Sequence, residues 1–177
     1  MAASAIYDIA EFDDMIHLLE DVAALTERAL EMQYRTKRRY TFGRLLRRFH
    51  VLSEEELDEI LQEAEDQGIL SPAENEDIAL ADVIVCGRLR TTGAEVYLVV
   101  EVSVGVGRHD VERAARRAAL LSKTGVQAIP AVAGEWVTPD ARALSAARRN
   151  PTALLSAVGT VGVLCLAGGT YDCTSPR

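Results

Sequence analysis

The chain has 177 residues, 49% of them hydrophobic, enough to bury a sizeable core in one compact domain with an appendage and too apolar for a disordered chain. Its formal net charge of −8 excludes a uniformly basic nucleic-acid binder, yet the charge is segregated: residues 35 to 48 hold seven bases and no acid, and residues 54 to 77 hold eleven acids and no base. Three cysteines, Cys86, Cys165 and Cys173, show neither a C-x-x-C nor a zinc-type spacing and are expected to be reduced thiols of a cytoplasmic protein.

Asp8, Glu11, Asp13 and Asp14 stand where an export signal needs positive charge followed by an apolar run, so no secretory leader is expected. From Ile6 to about Tyr34, Ile9, Phe12, Ile16, Leu19, Ala23 and Leu30 recur near a heptad spacing, with Thr26 as the weak position. This predicts an amphipathic helical arm. Two or three heptads are marginal alone, so the stripe needs a partner, with homo-oligomerisation through this helix placed ahead of folding back on the same chain.

The basic run from Tyr34 to His50 predicts a helix that continues or restarts around Gly43, with Leu45, Leu46 and Phe49 turned inward. Its arginines, interleaved with Tyr34, Tyr40 and Phe42, suit a phosphate backbone and its bases. Pairing with the acidic segment downstream is the alternative. Residues 1–50 are therefore set apart as arm and basic stretch, and residues 51–177 as an α/β domain.

Ser53 and Glu56 form a capping box for a helix that buries Leu57, Ile60, Leu61 and Ala64 and stops at Gly68. Ser71 and Pro72 open a second acidic helix. Its glutamates and those before it read as a solvated face, with Glu59 or Glu63 as candidates to lend a carboxylate to a metal. Two apolar strands follow, joined through Thr92 and Gly93. Alternation puts Asp82, Ile84 and Cys86 together on one strand and Tyr97, Val99, Glu101 and Ser103 together on the other. Runs apolar on both faces predict a sheet covered on both sides. A glutamate inside such a run must be neutralised, paired or metal-bound, and two acids on one hairpin outline a metal site.

The loop after Val102 carries Gly105 and Gly107 but has Asp110, expected as an N-cap, where a dinucleotide fingerprint needs its third glycine. The helix from Asp110 to Ser122 turns Val111, Ala114, Ala115, Ala118 and Leu121 to the sheet and carries Arg113, Arg116 and Arg117 along its flank, beside Glu101. Ser103, His109 and Asp110 lack the nucleophile elbow of a serine hydrolase. A strand over 126–134, a helix from Pro139 to about Arg149 and one last strand within 158–168 complete the domain before a polar tail. The apolar stretch 153–171 is broken by Gly159, Gly162, Gly168 and Gly169, so no membrane span is expected.

The succession ADVIVCGRL, YLVVEVS and DVERAARRAALL, within residues 77 to 134, resembles the PD-(D/E)XK nuclease-like (restriction-endonuclease-like) superfamily. More narrowly, it is similar to a branch that carries an N-terminal helical or coiled-coil arm. The resemblance implies a restriction-endonuclease-like mixed sheet flanked by helices. It also implies metal-dependent hydrolysis of nucleic-acid phosphodiesters, DNA ahead of RNA, with Asp82, Glu101 and the Val102 carbonyl holding Mg²⁺ or Mn²⁺. The motif lysine is replaced by Ser103, which carries no charge. Its electrostatic work is expected to pass to Arg113 or Arg117, which can clamp phosphate but cannot act as a base. The competing reading is a catalytically degenerate module that binds nucleic acid or protein, in which Glu101 merely pairs with an arginine such as Arg113 or Arg116.

Overall fold

The computed structural model describes residues 9–36, 42–147, 153–156, 163–166 and 169–172. In chain order the elements are α1 (Ile9–Thr36), β1 (Leu46–Val51), α2 (Glu54–Asp66), α3 (Pro72–Ala79), β2 (Val83–Leu89), β3 (Glu95–Val102) and β4 (Gly105–Val106). These are followed by α4 (Arg108–Leu121), a 3-10 turn (Ser122–Thr124), β5 (Ala128–Gly134), β6 (Trp136–Val137), α5 (Pro139–Ala147), β7 (Ala153–Ser156), β8 (Val163–Leu166) and β9 (Gly169–Asp172).

The architecture is mixed α/β. Strands β1, β2, β3 and β5 form the body of a mixed sheet, antiparallel from β1 to β3 and parallel between β3 and β5, and β7, β8 and β9 extend it beyond β5. The β2–β3 hairpin turns at Gly93, whose φ of 75° lies where a side chain would be strained. Its register pairs Val83 with Val100 and Cys86 with Tyr97, so Asp82 falls opposite Glu101 one step beyond the last pair.

Alternation along the strands separates two cores. Val83, Val85, Val96, Leu98, Val100, Val102, Ile129, Ala131 and Ala133 pack with Phe42 and Leu46 on one face. Ile84, Val99 and Ala128 pack on the other with Leu61, Ala64 and Ile78 of the acidic helices and Ala118 and Leu121 of α4. Val132 extends that face against Val111, Ala114 and Ala141. Among the described residues the helices of the domain thus gather on one face rather than on both. The opposite face is closed by Phe42 and the turn that leads into β1.

Both capping boxes form, Ser53 with Glu56 and Ser71 with Glu74, and Gly68 ends the first of these helices at a φ of 68°. Two expectations fail locally. Leu46 to Val51 is an edge strand, not a helix, and it spans the boundary set at residue 50. Arg48, at a φ of 49°, sits in a bulge between the Arg47–Arg88 and His50–Cys86 pairs. The extra residue shifts the parity, so that Leu46, Phe49 and Val51 face one core and imitate helical spacing. Asp110 is not the N-cap of α4 but its third residue, accepting a bond from Gly107 N at 2.7 Å.

The arm forms a 28-residue helix, and every described side chain between residues 17 and 26 is exposed. Its later part touches β2 and β3. No described helix is long and apolar enough to cross a membrane.

The bulge gives a direct test of packing on the edge strand. A Cβ added to Gly87 would lie 2.5 Å from Phe49 Cβ and 3.1 Å from its Cα, so Gly87→Ala must push the strand outward. Overpacking of this kind costs about 1–3 kcal/mol. Urea unfolding followed by circular dichroism should show that loss, whereas Gly125→Ala, which meets nothing within 4 Å, is strained only through its φ of 89°.

Candidate functional site

The site lies where β3 ends, beside the parallel strand β5, the position at which open α/β sheets commonly take their ligands. A cavity of about 310 Å³ opens there, lined by Asp82, Glu101, Val102, Ser103, Asp110, Arg113 and Arg117, with Leu80 and Glu31 at its border. All five residues singled out from the sequence, Asp82, Glu101, Ser103, Arg113 and Arg117, are therefore brought to one cavity. Glu59 and Glu63 are exposed on α2 and do not line it; the helical carboxylate that does is Glu31 of α1.

Each side chain is placed by a different element. Asp82 precedes β2 and accepts a 2.6 Å bond from Val102 N, which ties the start of one strand to the end of its neighbour. Glu101 is 1% exposed on β3. Its Oε1 accepts a 2.6 Å bond from Arg117 Nη1, and its Oε2 stands 3.2 Å from Arg113 Nε without hydrogen-bond geometry. Arg117, expected on the flank of α4 beside Glu101, is 6% exposed. It also donates to Leu80 O at 2.8 Å and to Asp77 Oδ1 at 3.2 Å. Asp77 is held bidentately by Arg116 as well, at 2.6 and 2.8 Å. Arg116 thus pairs with Asp77 on α3, while Glu101 takes Arg117 and Arg113. Arg113 is half-exposed and anchored by a 2.7 Å bond to Asp110 Oδ1, and Ser103 Oγ donates to Gly105 O at 3.2 Å.

The described lining of the cavity holds four carboxylates, Glu31, Asp82, Glu101 and Asp110, and two guanidiniums. Burial pushes the Asp82 carboxyl up, against the bond from Val102 N and the charges of Arg113 and Arg117. Burial does the same at Glu101, opposed by Arg117 and aided by the Asp82 charge. Asp77 goes the other way, to about 2, chiefly through its bonds to Arg116.

Among the described residues no three His, Cys, Asp or Glu side chains stand as a ready metal-binding group. Mg²⁺ does not require one, since it is commonly held by one or two carboxylates with the rest of its shell in water and phosphate. Asp82 and Glu101 Oε2 fit that role, because Arg117 takes the other Glu101 oxygen and the Arg113 Nε contact is loose. His109 is almost fully exposed on α4, away from any triad with Ser103. No family model matches the chain, and no curated protein or solved structure is significantly similar to it.

Arg117 and Asp77 were the residues whose weight the sequence concealed. Replacing Asp77 by Asn leaves a buried guanidinium short of an ionised acceptor and is expected to cost about 1.5–3 kcal/mol at neutral pH. Because the folded pKa of Asp77 lies below its unfolded value, the folded state binds fewer protons between them. The difference between wild type and Asp77→Asn should be full above pH 3.8, the ordinary value, and fade as pH falls toward about 2. Urea titrations at a series of pH values measure it; a gap that persists unchanged at pH 2 would show that the pair is not its source.

Proposed function

We propose that the chain is a divalent-cation-dependent phosphodiesterase acting on nucleic acid, DNA ahead of RNA, with its site in the Asp82–Glu101 cavity. The observation that carries this reading is the pair of desolvated carboxylates, Asp82 and Glu101, that adjacent strands bring to one cavity. That is the complement of one Mg²⁺ or Mn²⁺, and apolar burial alone gives no reason to assemble it. When bound there, such a cation would acidify water and offset charge on the scissile phosphate.

The chain's own groups divide the remaining work. Asp82 and Glu101 would hold the cation, Asp82 kept in place by Val102 N and Glu101 by Arg117. Arg117 is a positioning residue, because its donors are already committed to Glu101, Leu80 O and Asp77. Arg113 is the cation free to turn outward, since Asp110 is its hydrogen-bond anchor and its side chain is 43% exposed. It would clamp a non-bridging phosphate oxygen, the electrostatic part of the absent lysine's role. Ser103 leaves no charged base at the strand position, so activation of water would rest on the cation.

A second reading, a non-catalytic binding module on the same fold, is favoured by one feature, the two guanidiniums that already face Glu101. Cleavage assays separate the two. Wild type should cut DNA with Mg²⁺ or Mn²⁺, and Asp82→Asn or Glu101→Gln should lower the rate about a hundredfold or more while leaving the protein folded; Arg113→Ala should cost about 10- to 100-fold. Asp82→Asn should also be as stable as wild type or more so, because it removes a desolvated charge but can still accept from Val102 N. Ser103→Lys, which returns a cation to the strand, should raise the rate. No cleavage with any divalent ion in either wild type or Ser103→Lys would leave the binding module as the function.

The arm supports a second copy of the chain as partner. Of the predicted stripe, Leu19 is 63% exposed and Ile9, Phe12, Ile16 and Leu30 lie outside the described side chains; Leu18, Val22, Leu25 and Met32 beside it are between 53% and 68% exposed, so the helix presents apolar side chains to solvent. Sedimentation of the full chain should reveal an oligomer that is lost when residues 1–40 are removed. Monomers in both cases would mean that the stripe serves something other than self-association.

A further inference from the structure

Just beyond the cavity residue Ser103, the segments leaving β3 and β5 are fastened to one another. Glu135 N and Trp136 N both reach the Val104 carbonyl, at 3.1 and 3.4 Å, and Trp136 pairs with Gly105 in the small β4–β6 ladder. Two glycines permit the approach. A Cβ on Gly134 would overlap the carbonyl oxygen of Ser103, and one on Gly105 would fall within the six-membered ring of Trp136. The indole is thus seated on the backbone of Gly105, whose carbonyl takes the hydroxyl of the cavity residue Ser103.

This tryptophan, the only one in the chain, is nevertheless 57% exposed. Three large apolar side chains of the domain following β1 are exposed among the described residues: Ile69, Leu80 and Trp136. Leu80 lines the cavity itself, and Trp136 is joined to it through Gly105 and the cavity residue Ser103. A rigid aromatic ring with one side on glycine and the other open to solvent is costly to expose by chance beside a polar cavity.

We propose that Trp136 is a stacking platform for an unpaired nucleobase of the strand whose phosphate enters the Asp82–Glu101 cavity. The proposal rests on the phosphodiesterase reading above and adds a preference for single-stranded or frayed substrate. Stacking suits this position because every base has a π-face, so the ring can hold a strand in register without reading its sequence. The glycine contacts fix the indole in advance, so little freedom is lost when a base arrives. Arg113, at the cavity wall, supplies the phosphate contact.

The test uses the full chain, a mixed-sequence single-stranded oligodeoxynucleotide carrying a fluorophore, and Ca²⁺ in place of Mg²⁺ to leave the strand intact. Binding is read by anisotropy of the label, and stacking, with unlabelled strand, by quenching of the single tryptophan's emission. Saturating strand is expected to quench that emission. Trp136→Ala should weaken binding by about tenfold, within the range that loss of one stacked base gives, whereas Trp136→Phe should remain within about threefold of wild type. A blunt duplex of the same sequence should bind less tightly and quench less. Binding with unchanged emission, or Trp136→Ala binding like wild type, overturns the stacking role and leaves the phosphodiesterase reading to its cleavage assay. Quenching without cleavage by Mg²⁺ or Mn²⁺ supports the platform and removes the chemistry. No binding of any strand overturns both. If Trp136→Ala loses its helical circular dichroism, wild-type quenching and the Trp136→Phe affinity still decide.

Discussion

The buried guanidinium of Arg117 is the constraint on which the rest of the structure depends. A buried cation is costly unless its donors are matched, and Arg117 is matched by acceptors from two other elements: Glu101 on β3, and Asp77 with the Leu80 carbonyl at the end of α3. Only a planar fork of donors can reach these partners together; a lysine would offer one point charge. The bonds fasten α3 and α4 to the sheet at the end where it opens. They also fix the Glu101 carboxylate, with Oε1 committed to Arg117 and Oε2 left toward Arg113.

That fixed carboxylate sets the character of the cavity. Asp82 stands opposite it, and Glu31 and Asp110 join it in the described lining beside the two arginines. The paired carboxylates Asp82 and Glu101 alone would repel phosphate, and a dication between them would offset their charge. On the proposed function, cation and substrate therefore bind in that order. The raised titration of Asp82 and Glu101 adds a consequence: protons compete for the same oxygens, so cation affinity should weaken as pH falls into the carboxylate range.

The parts of this arrangement that sequence discloses are those whose cause is local. Strand alternation alone puts Asp82 and Glu101 on one face, and the register of the hairpin follows from its turn at Gly93. Capping boxes at Ser53 and Ser71 are legible because their partners lie three residues away. What stayed hidden depends on distant partners. The bond from Arg117 to Asp77 is hidden because that acceptor is 40 positions earlier, and Glu31 reads as one more charge on an arm. The Arg48 bulge misleads for another reason: one inserted residue turns a period of two into a spacing that a helix would also give. Beyond β5 the short strands β7 to β9 are similarly under-determined, since the expected polar tail contributes the strand Gly169–Asp172.

The serine at position 103 is best understood together with the loop it begins. Its hydroxyl bonds the Gly105 carbonyl, and its own carbonyl lies so close to Gly134 that no side chain fits there. The strand end is therefore bound into the β4–β6 crossover that carries Trp136. A lysine at 103 would give up the hydroxyl bond and place a flexible cation beside two arginines already engaged with Glu101. The positive charge resides instead on α4, where Arg117 holds the carboxylate and Arg113, half-exposed and tethered by Asp110, can reach outward. Separation of the two tasks has a physical cost: neither arginine can take a proton from water. On the proposed function, hydrolysis at this site must then depend more heavily on the cation than it would with a strand lysine, and the rate should track the acidity of the ion's bound water.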